Sequence, residues 1–501
     1  MSKSFRVSLV AGLVLGLSQI SFAGVMSQTQ QPAANAETTR SSSSLKSARK
    51  KKKSKRTAPV IVVLGAYAQP AISAPLSTTP VASTTADVPP AAPAPAARGS
   101  VSATRVSTLS VTPVVDPPSA NVAAAGELLI SEFRVRGPNG ANDEFIEIYN
   151  ASGADHTVAA LSGSGYGVAA SDGVTRCSIP NGTVIPNRGH YLCVNSAGYS
   201  LASYSAGNGT TATGDATYTT DIPDNAGIAL FNNNSAGASY SLANRLDAVG
   251  STSEANTLYK EGAGYPAITP LDLNYSFYRD NCGKGGSIAT FGACTIDTPK
   301  DTNDNAADFI FVDTNATFVG ADQRLGAPGP ENLSSPIQRN ASFAVNLLDT
   351  CVAAASPPNR VRDFTSNPPN NSAFGTLDIR RTIVNNTGGN VTRLRFRVID
   401  LTTFPPPSGI ADLRPLTSTS VVVTVDRPPC GSGTSNVTVQ GTTLEQPPSQ
   451  PNGGGFNSSM SAGTVTLATP LANGASIDVR FLLGVQQTGS FKFYINVEAL
   501  P

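Results

Sequence analysis

The runs Leu129-Ile-Ser-Glu-Phe133 and Glu144-Phe-Ile-Glu-Ile-Tyr149 decide the fold class of this chain. Both are rich in β-branched and aromatic residues, which favour strands. Alternation in the second run places its two isoleucines on one strand face and Phe145 and Tyr149 on the other. Between the runs, Gly137-Pro-Asn-Gly140 is a strong turn signal. The segment therefore predicts two short strands joined by a turn.

The same pattern continues along the chain and predicts a β-sandwich. Further strand candidates recur at short intervals: 189–194, 227–231 and 246–250. Short strands, frequent turn signals and the lack of a convincing amphipathic helix are typical of a sandwich. The composition agrees, because 45 glycines and 37 prolines disfavour long helices.

Residues 126–265 resemble the lamin tail domain family, in its bacterial exported branch. The first landmark is Leu129–Phe133 followed by Asn142-Asp-Glu-Phe-Ile-Glu-Ile-Tyr-Asn150. The later landmarks, in the family's order, are Ile185-Pro-Asn-Arg-Gly-His-Tyr-Leu192, Ile222-Pro-Asp-Asn-Ala-Gly-Ile-Ala-Leu-Phe231 and Arg245-Leu-Asp-Ala-Val-Gly250. The resemblance implies an immunoglobulin-like sandwich without catalytic residues of its own. No heptad rod precedes it, so the filament role of nuclear lamins is not carried over.

The remainder of the chain predicts an extension and a second sandwich. Residues 266–330 are rich in Asp and Asn, and we expect them to pack on the first sandwich. Residues 342–501 form a second β-rich module of immunoglobulin or fibronectin type. Its strand candidates are 376–384, 392–398, 421–425, 475–483 and 490–497.

The N-terminus predicts export. Residues 1–23 have a positive n-region, an apolar h-region and small residues before a cleavage site after Ala23, which is the pattern of a signal peptide. The h-region is too short to span a bilayer, and no later run is long enough. Residues 24–125, rich in Ala, Pro, Ser and Thr, predict a disordered spacer. We therefore expect a secreted or cell-surface protein with no transmembrane segment in its mature form.

A basic tract, 46–56, lies within this spacer and holds 8 of the 35 basic residues. Three interpretations are open: a nuclear or nucleic-acid signal, a second signal-like segment, and a solvated tract that binds anionic polymers or lipid. Without the tract the chain has an acidic excess of seven, which disfavours nucleic-acid binding by the folded part.

The six cysteines predict disulfides. An even number in an exported chain is typical of disulfide bonding, and the close Cys pairs of a zinc site are absent. Spacing alone leaves 15 pairings open. Our hypothesis is that sequence neighbours pair, namely Cys177–Cys193, Cys282–Cys294 and Cys351–Cys430.

We expect no catalytic residues. The chain has two histidines, His156 and His190, and neither lies at metal-ligand spacing from another His or Cys. Glu144 and Glu147 would point to opposite faces of one strand, so they could not flank one scissile bond; rim positions are expected for both. The predicted protein is not an enzyme.

A calcium site is the cofactor hypothesis that remains. Asp301, Asn303, Asp304 and Asp308 are closely spaced oxygen donors of the kind that calcium prefers. The EF-hand glycine and glutamate are missing at the corresponding positions. In the other interpretation these side chains form only local turns, and the protein has no cofactor.

The predicted function is non-catalytic: β-sandwich modules presented to a protein or a cell-surface polysaccharide. One alternative is an accessory or targeting component of an extracellular hydrolase or nuclease system. A second alternative is an envelope DNA-binding protein that acts through the basic tract.

Overall fold

Strands make up 42% of the structure and helices 4%, which confirms the predicted all-β class. The computed structural model describes residues 122–202, 211–235, 239–281, 299–316, 323–445, 447 and 450–501. The signal peptide with Ala23, the basic tract, Cys282, Cys294 and all but the last residues of the predicted spacer lie outside the described residues.

The first sandwich has a seven-stranded sheet A and a four-stranded sheet B. Its strands are β1 (Leu128–Arg134), β2 (Phe145–Asn150), β3 (His156–Thr157), β4 (Gly165–Ala170), β5 (Thr175–Pro180), β6 (Val184–Ile185), β7 (His190–Asn195), β8 (Ala216–Tyr218), β9 (Ile228–Phe231), β10 (Arg245–Val249), β11 (Tyr275–Arg279), β12 (Phe309–Asp313) and β13 (Arg324–Leu325). Sheet A has the order β13-β12-β11-β1-β2-β7-β8, and sheet B has the order β10-β9-β4-β5, while β3 pairs with β6. The helical elements are a 3-10 turn at Thr257–Tyr259 and the one-turn helix α1 (Asn305–Asp308).

The alternating residues of β2 point to the two faces of the strand as predicted. Ile146 and Ile148 point into the core between sheets A and B, where they join Leu128 and Phe133 of β1. Phe145 points to the other face and packs in a separate apolar cluster. The strand is therefore buried on both faces, and the charged residues among its neighbours are buried with it.

The Asp/Asn-rich segment 266–330 differs from its expected role, because it contributes strands to sheet A. β11 pairs antiparallel with β1, and β12 pairs with β11 over five residue pairs. Phe277 stacks on Phe133 and Phe309 meets it edge to face, with ring centroids 5.2 and 5.5 Å apart respectively. Tyr275, Phe277, Phe309 and Phe311 of these two strands join the core of the first sandwich. The Asp and Asn residues lie mainly in the connections.

The second sandwich has sheet C and sheet D, each with five strands when β16 is included. Its strands are β14 (Ile337–Gln338), β15 (Phe343–Leu347), β16 (Arg360–Asp363), β17 (Thr376–Asn385), β18 (Arg393–Leu401), β19 (Asp412–Leu416), β20 (Val421–Asp426), β21 (Thr434–Val439), β22 (Thr443–Leu444), β23 (Ser459–Ser461), β24 (Ser476–Gln487) and β25 (Phe493–Leu500). Sheet C has the order β14-β25-β18-β23-β22; sheet D has the order β15-β17-β24-β19, with β16 on β17, and β20 pairs with β21. Two 3-10 turns lie at Asn340–Ser342 and Pro368–Asn370.

The two sandwiches are packed together through the outer faces of sheets A and C. Tyr278 and Val312 of sheet A belong to the same apolar cluster as Phe396 and Met460 of sheet C. A connecting segment, residues 326–336, runs along this interface, with Ala327 N–H donating to the Phe456 carbonyl at 3.0 Å. Buried charged residues complete the interface and are described below.

Candidate functional site

The outer face of sheet D carries a groove beside the loop 364–375, which joins β16 to β17. Asn367 and Ser372 close the loop with backbone hydrogen bonds of 2.9 and 3.2 Å. The Asn371 side-chain amide donates to the Pro451 carbonyl at 2.9 Å and ties the loop to a neighbouring segment. The loop also packs closely against β24. A Cβ atom added at Gly484 of this strand would lie 2.0 Å from the backbone carbonyl oxygen of Asn371. The loop is therefore held in one conformation.

The groove has the size and the mixed lining of a ligand site. Its volume is about 620 Å³, within the range of small-molecule sites. Amide and hydroxyl side chains predominate in the lining, and they can both donate and accept hydrogen bonds. The lining residues are Asp363, Thr365, Asn367, Pro369, Asn370, Asn371, Ser372, Thr376, Leu416, Thr417, Pro451 and Leu482.

Two exposed aromatic residues lie on the same loop. Phe364 is 78% exposed and Phe374 is 52% exposed. The Arg362 guanidinium lies over the Phe364 ring, 4.7 Å from its centroid. The Arg362 side chain also donates to the carbonyl groups of Phe374 and Thr376, so it braces the base of the loop. Neither ring belongs to the groove lining, so the loop carries its exposed aromatic surface outside the polar groove.

Nothing in the sequence interpretation singled out this groove. The run Asn367-Pro-Pro-Asn-Asn371 is a turn signal, and the exposed Phe364 before it was the available clue. From the sequence alone, a single phenylalanine beside a turn is as compatible with a buried core position as with an exposed one. The opposite wall, at Leu416 and Thr417, comes from a distant part of the chain.

The predicted calcium residues make hydrogen bonds and ion pairs within the protein. Asp304 caps α1, accepting from Ala306 N–H at 3.2 Å, and also accepts from Ala263 N–H at 3.0 Å. Asp308 is fully buried and accepts from the backbone and hydroxyl of Thr302. Local bonds of this kind match the turn interpretation.

Asp301 and Asp308 both face Arg279, whose Nη1 is 3.5 Å from a carboxylate oxygen of each. Asn303 has a positive φ of 56° at the turn before α1. Asp301 approaches Asp247 and Glu261, with which it forms a cluster of possible metal ligands. Arg279 already donates to Asp247 at 2.7 Å and lies 3.5 Å from Asp301, so a cation there would compete with this guanidinium.

Two of the predicted disulfides are present. Cys177–Cys193 links β5 of sheet B to β7 of sheet A, and Cys351–Cys430 closes a larger loop in the second sandwich. The hypothesis that sequence neighbours pair is confirmed for these two bonds. Each bond lies within one sandwich.

The two histidines and the two glutamates that were considered as candidate catalytic residues are all buried. His156 Nε2 is 3.1 Å from the Tyr166 hydroxyl, and burial lowers the pKa of His156. Glu144 accepts from Asn195 Nδ2 at 2.8 Å and from a backbone N–H at 2.7 Å, and burial raises its pKa to about 7. The expectation of rim positions for Glu144 and Glu147 is wrong, since both are less than 5% exposed. The second sandwich and the connecting segment cover Glu147, which the sequence pattern of β2 could not indicate.

A buried network of charged side chains lies where sheets A and C meet. Arg395 and Arg397 of β18 donate to the carboxylate of Glu498 on β25 at 2.7 and 2.8 Å. Both arginines also form ion pairs with Glu331 of the connecting segment. Burial opposes ionisation of Glu498, but Arg397 and Arg395 outweigh it, so the pKa of Glu498 is lowered. These contacts hold the connecting segment against sheet C.

Sheet A contributes two glutamates to the same network. Glu132 accepts from Gly329 N–H at 2.9 Å, and Glu147 accepts from Glu331 N–H at 2.7 Å. The Ser131 hydroxyl donates to the other oxygen of Glu147 at 2.5 Å. Burial raises the pKa of both glutamates, and the nearby Glu132 raises that of Glu147 further. The connecting segment is therefore bonded to both sandwiches.

His190 lies between two of these carboxylates. Its Nε2 is 3.8 Å from Glu147 Oε1, and its Nδ1 is 3.3 Å from Glu331 Oε2 without forming a hydrogen bond. Burial, with Arg397 and Arg395, lowers the pKa of His190 well below its usual value. A cavity of about 40 Å³ is lined by all three residues, which is room for a few water-sized groups.

Comparisons with protein-family models, curated proteins and solved structures give no match for this chain. The resemblance of residues 126–265 to lamin tail domains therefore stays a prediction from the residues. Among the described residues, no helix has the length and apolar character needed to cross a bilayer.

Proposed function

We propose that this chain is an exported, non-catalytic binding protein whose second sandwich holds a polysaccharide in the groove of sheet D. The observation that carries the proposal is a groove whose lining is dominated by amide and hydroxyl groups on a loop tied to its neighbours. Amides and hydroxyls suit the many hydroxyl groups of a sugar chain. Outside the groove lining, Phe364 and Phe374 offer ring surface to its apolar faces.

The fixed loop favours binding without reorganisation. A groove that is already formed loses little conformational entropy when its ligand binds, and this loss commonly weakens polar binding sites. Asp363 is the carboxylate in the groove lining, so the site favours a neutral polysaccharide over a strongly acidic one.

Export is supported by two features that are independent of the groove. The first is the signal-peptide pattern of residues 1–23. The second is the pair of disulfides, which persist in oxidising compartments. In this proposal the lamin-tail-like module is a rigid support for the binding module.

The non-catalytic part of the proposal is supported by the structural roles of the residues that could act as catalytic acids or bases. Glu144 and Glu147 make separate sets of hydrogen bonds in buried surroundings. His156 and His190 are 7% and 8% exposed, which leaves little access for a substrate.

The test is binding of the full chain to an array of neutral glucans, mannans, galactans and chitin oligosaccharides, followed by titration calorimetry on the best ligand. We expect Thr365→Ala and Asn370→Ala, which both remove side chains that line the groove, each to weaken binding at least about tenfold, the equivalent of ~1.4 kcal/mol. Leu467→Ala is the matched control, because Leu467 is 75% exposed on the same sandwich but does not line the groove.

A deletion of residues 46–56 separates this proposal from binding through the basic tract. Polysaccharide binding that persists in the deletion variant supports the groove. Binding that is lost with the tract, or that neither groove variant weakens, refutes the proposal.

A further inference from the structure

Three side chains that commonly bind metals surround the cavity between the sandwiches. Glu147 lies on β2, His190 on the neighbouring β7, and Glu331 on the connecting segment. In the register of these strands Glu147 pairs with Leu192, so His190 is its diagonal neighbour on the same face of sheet A. One ligand atom from each of the three residues lies within 4.8 Å of the others.

We propose that Glu147, His190 and Glu331 bind a divalent metal ion of the zinc class, which links the first sandwich to the connecting segment. One imidazole and two carboxylates are a ligand set that zinc and similar ions accept. All three side chains line the same cavity, and Nδ1 of His190 is buried there without a hydrogen-bond partner.

One pair of ligand atoms already has the spacing that such an ion needs, and all three lie within 4.8 Å of one another. Zinc bonds of about 2.1 Å in a tetrahedron place two ligand atoms roughly 3.4 Å apart. Nδ1 of His190 and Oε2 of Glu331 are 3.3 Å apart. A cavity of about 40 Å³ also has room for a water molecule as a fourth ligand.

The charge balance of the network favours a cation. Five buried carboxylates, on Glu132, Glu147, Glu331, Glu445 and Glu498, face two guanidinium groups in the part of the chain that the structure describes. Full ionisation leaves an excess of three negative charges, and a divalent ion reduces it to one. Protonation of the carboxylates is the alternative, and burial does raise the pKa of Glu147.

The surrounding contacts orient two of the ligands. The Ser131 hydroxyl holds Glu147, while Arg395 and Arg397 hold Glu331. Fixed outer contacts of this kind are typical of metal sites and raise their affinity. The cluster of Asp247, Glu261 and Asp301 is different, since Arg279 and Arg245 leave its three carboxylates an excess of one negative charge instead of three.

The test uses the full chain, prepared without a histidine tag and treated with EDTA. We expect one Zn²⁺ or Co²⁺ to bind per chain, and the visible spectrum of bound Co²⁺ to be that of a four- or five-coordinate site. Free Zn²⁺ at about 100 times its Kd should raise Tm by at least about 3 °C. The same Mg²⁺ concentration should leave Tm unchanged.

His190→Gln should raise the Kd for Co²⁺ about 100-fold or more. His156→Gln is the matched control, because His156 is the other buried histidine of the first sandwich and lies outside the cavity lining. Wild-type affinity in His190→Gln would overturn the proposal. So would wild-type protein that binds no stoichiometric Co²⁺ and shows no Zn²⁺-dependent rise in Tm, a measurement that does not depend on whether the variant folds.

Discussion

Replacing Arg395 with methionine should destabilise the protein strongly. Its guanidinium is 0% exposed and lies against three carboxylates: Glu498 at 2.7 Å, Glu445 at 3.5 Å and Glu331 in direct contact. Methionine fills most of the volume but leaves these carboxylates without that cation. Breaking a buried pair from one side costs about 3–5 kcal/mol.

The assay is urea unfolding of EDTA-treated protein, followed by far-UV circular dichroism because the chain has no tryptophan. With an m-value of about 3 kcal/mol/M, a loss of 3–5 kcal/mol lowers the midpoint by roughly 1–1.7 M. Both sandwiches should lose stability together, since Arg395 contacts the segment that connects them.

Arg136→Met is the matched control. Arg136 pairs with Asp224 at 2.9 Å and with Asp272 at 3.2 Å, but its side chain is 23% exposed. Pairs that reach solvent contribute about 0–1 kcal/mol. If Arg395→Met shifted the midpoint no more than Arg136→Met does, the reasoning about the buried network would be refuted.

Three further predictions concern other parts of the structure. Removing the disulfide with Cys351→Ala and Cys430→Ala should cost up to about 4.5 kcal/mol, because the bond closes a loop of 79 residues; a loss below about 1 kcal/mol in urea unfolding would contradict this. The pKa of Glu144 is raised to about 7, so the folded state holds this proton more tightly than the unfolded state, and stability should fall by up to about 3 kcal/mol as pH rises from about 4.5 to 7. Glu144→Gln should flatten that part of the pH profile, and an unchanged slope would be inconsistent with the raised pKa. Asp304→Ala should cost about 1–2 kcal/mol by removing the cap of α1; the loss should be the same with and without Ca²⁺ in thermal unfolding, and a loss seen only with Ca²⁺ would support the calcium hypothesis instead.

The sequence predicts most strands because their periodicity is local. The run 376–384 matches β17, and 475–483 overlaps β24 from Ser476 onward, since apolar residues alternate along both. β11 and β12 were missed because Asp and Asn surround their aromatic residues and dominate the local composition. Pairing of β11 with β1 depends on contacts across 140 residues or more, which no local pattern reports.

The functional surfaces are harder to predict, because they are made by packing between distant segments. In β18 the three arginines alternate with core residues, so the pattern assigns them to solvent. Arg395 and Arg397 are buried because sheet A and the connecting segment cover that face. The order of residues along β18 does not indicate that other segments cover this face. The groove has the same origin, since its two walls, at Asn370 and Thr417, are joined only by the folding of sheet D.

We infer that the charged interface fixes the arrangement of the two sandwiches. Apolar contacts such as those of Tyr278 and Val312 tolerate small shifts of one sheet over another. A shift of one strand spacing, about 4.8 Å, would separate Glu147 from the Glu331 amide and leave a buried carboxylate without its partner. Each such carboxylate costs several kcal/mol, so displaced arrangements are strongly disfavoured. The charges therefore select one orientation, and a metal ion held by His190 and the two glutamates would select the same one.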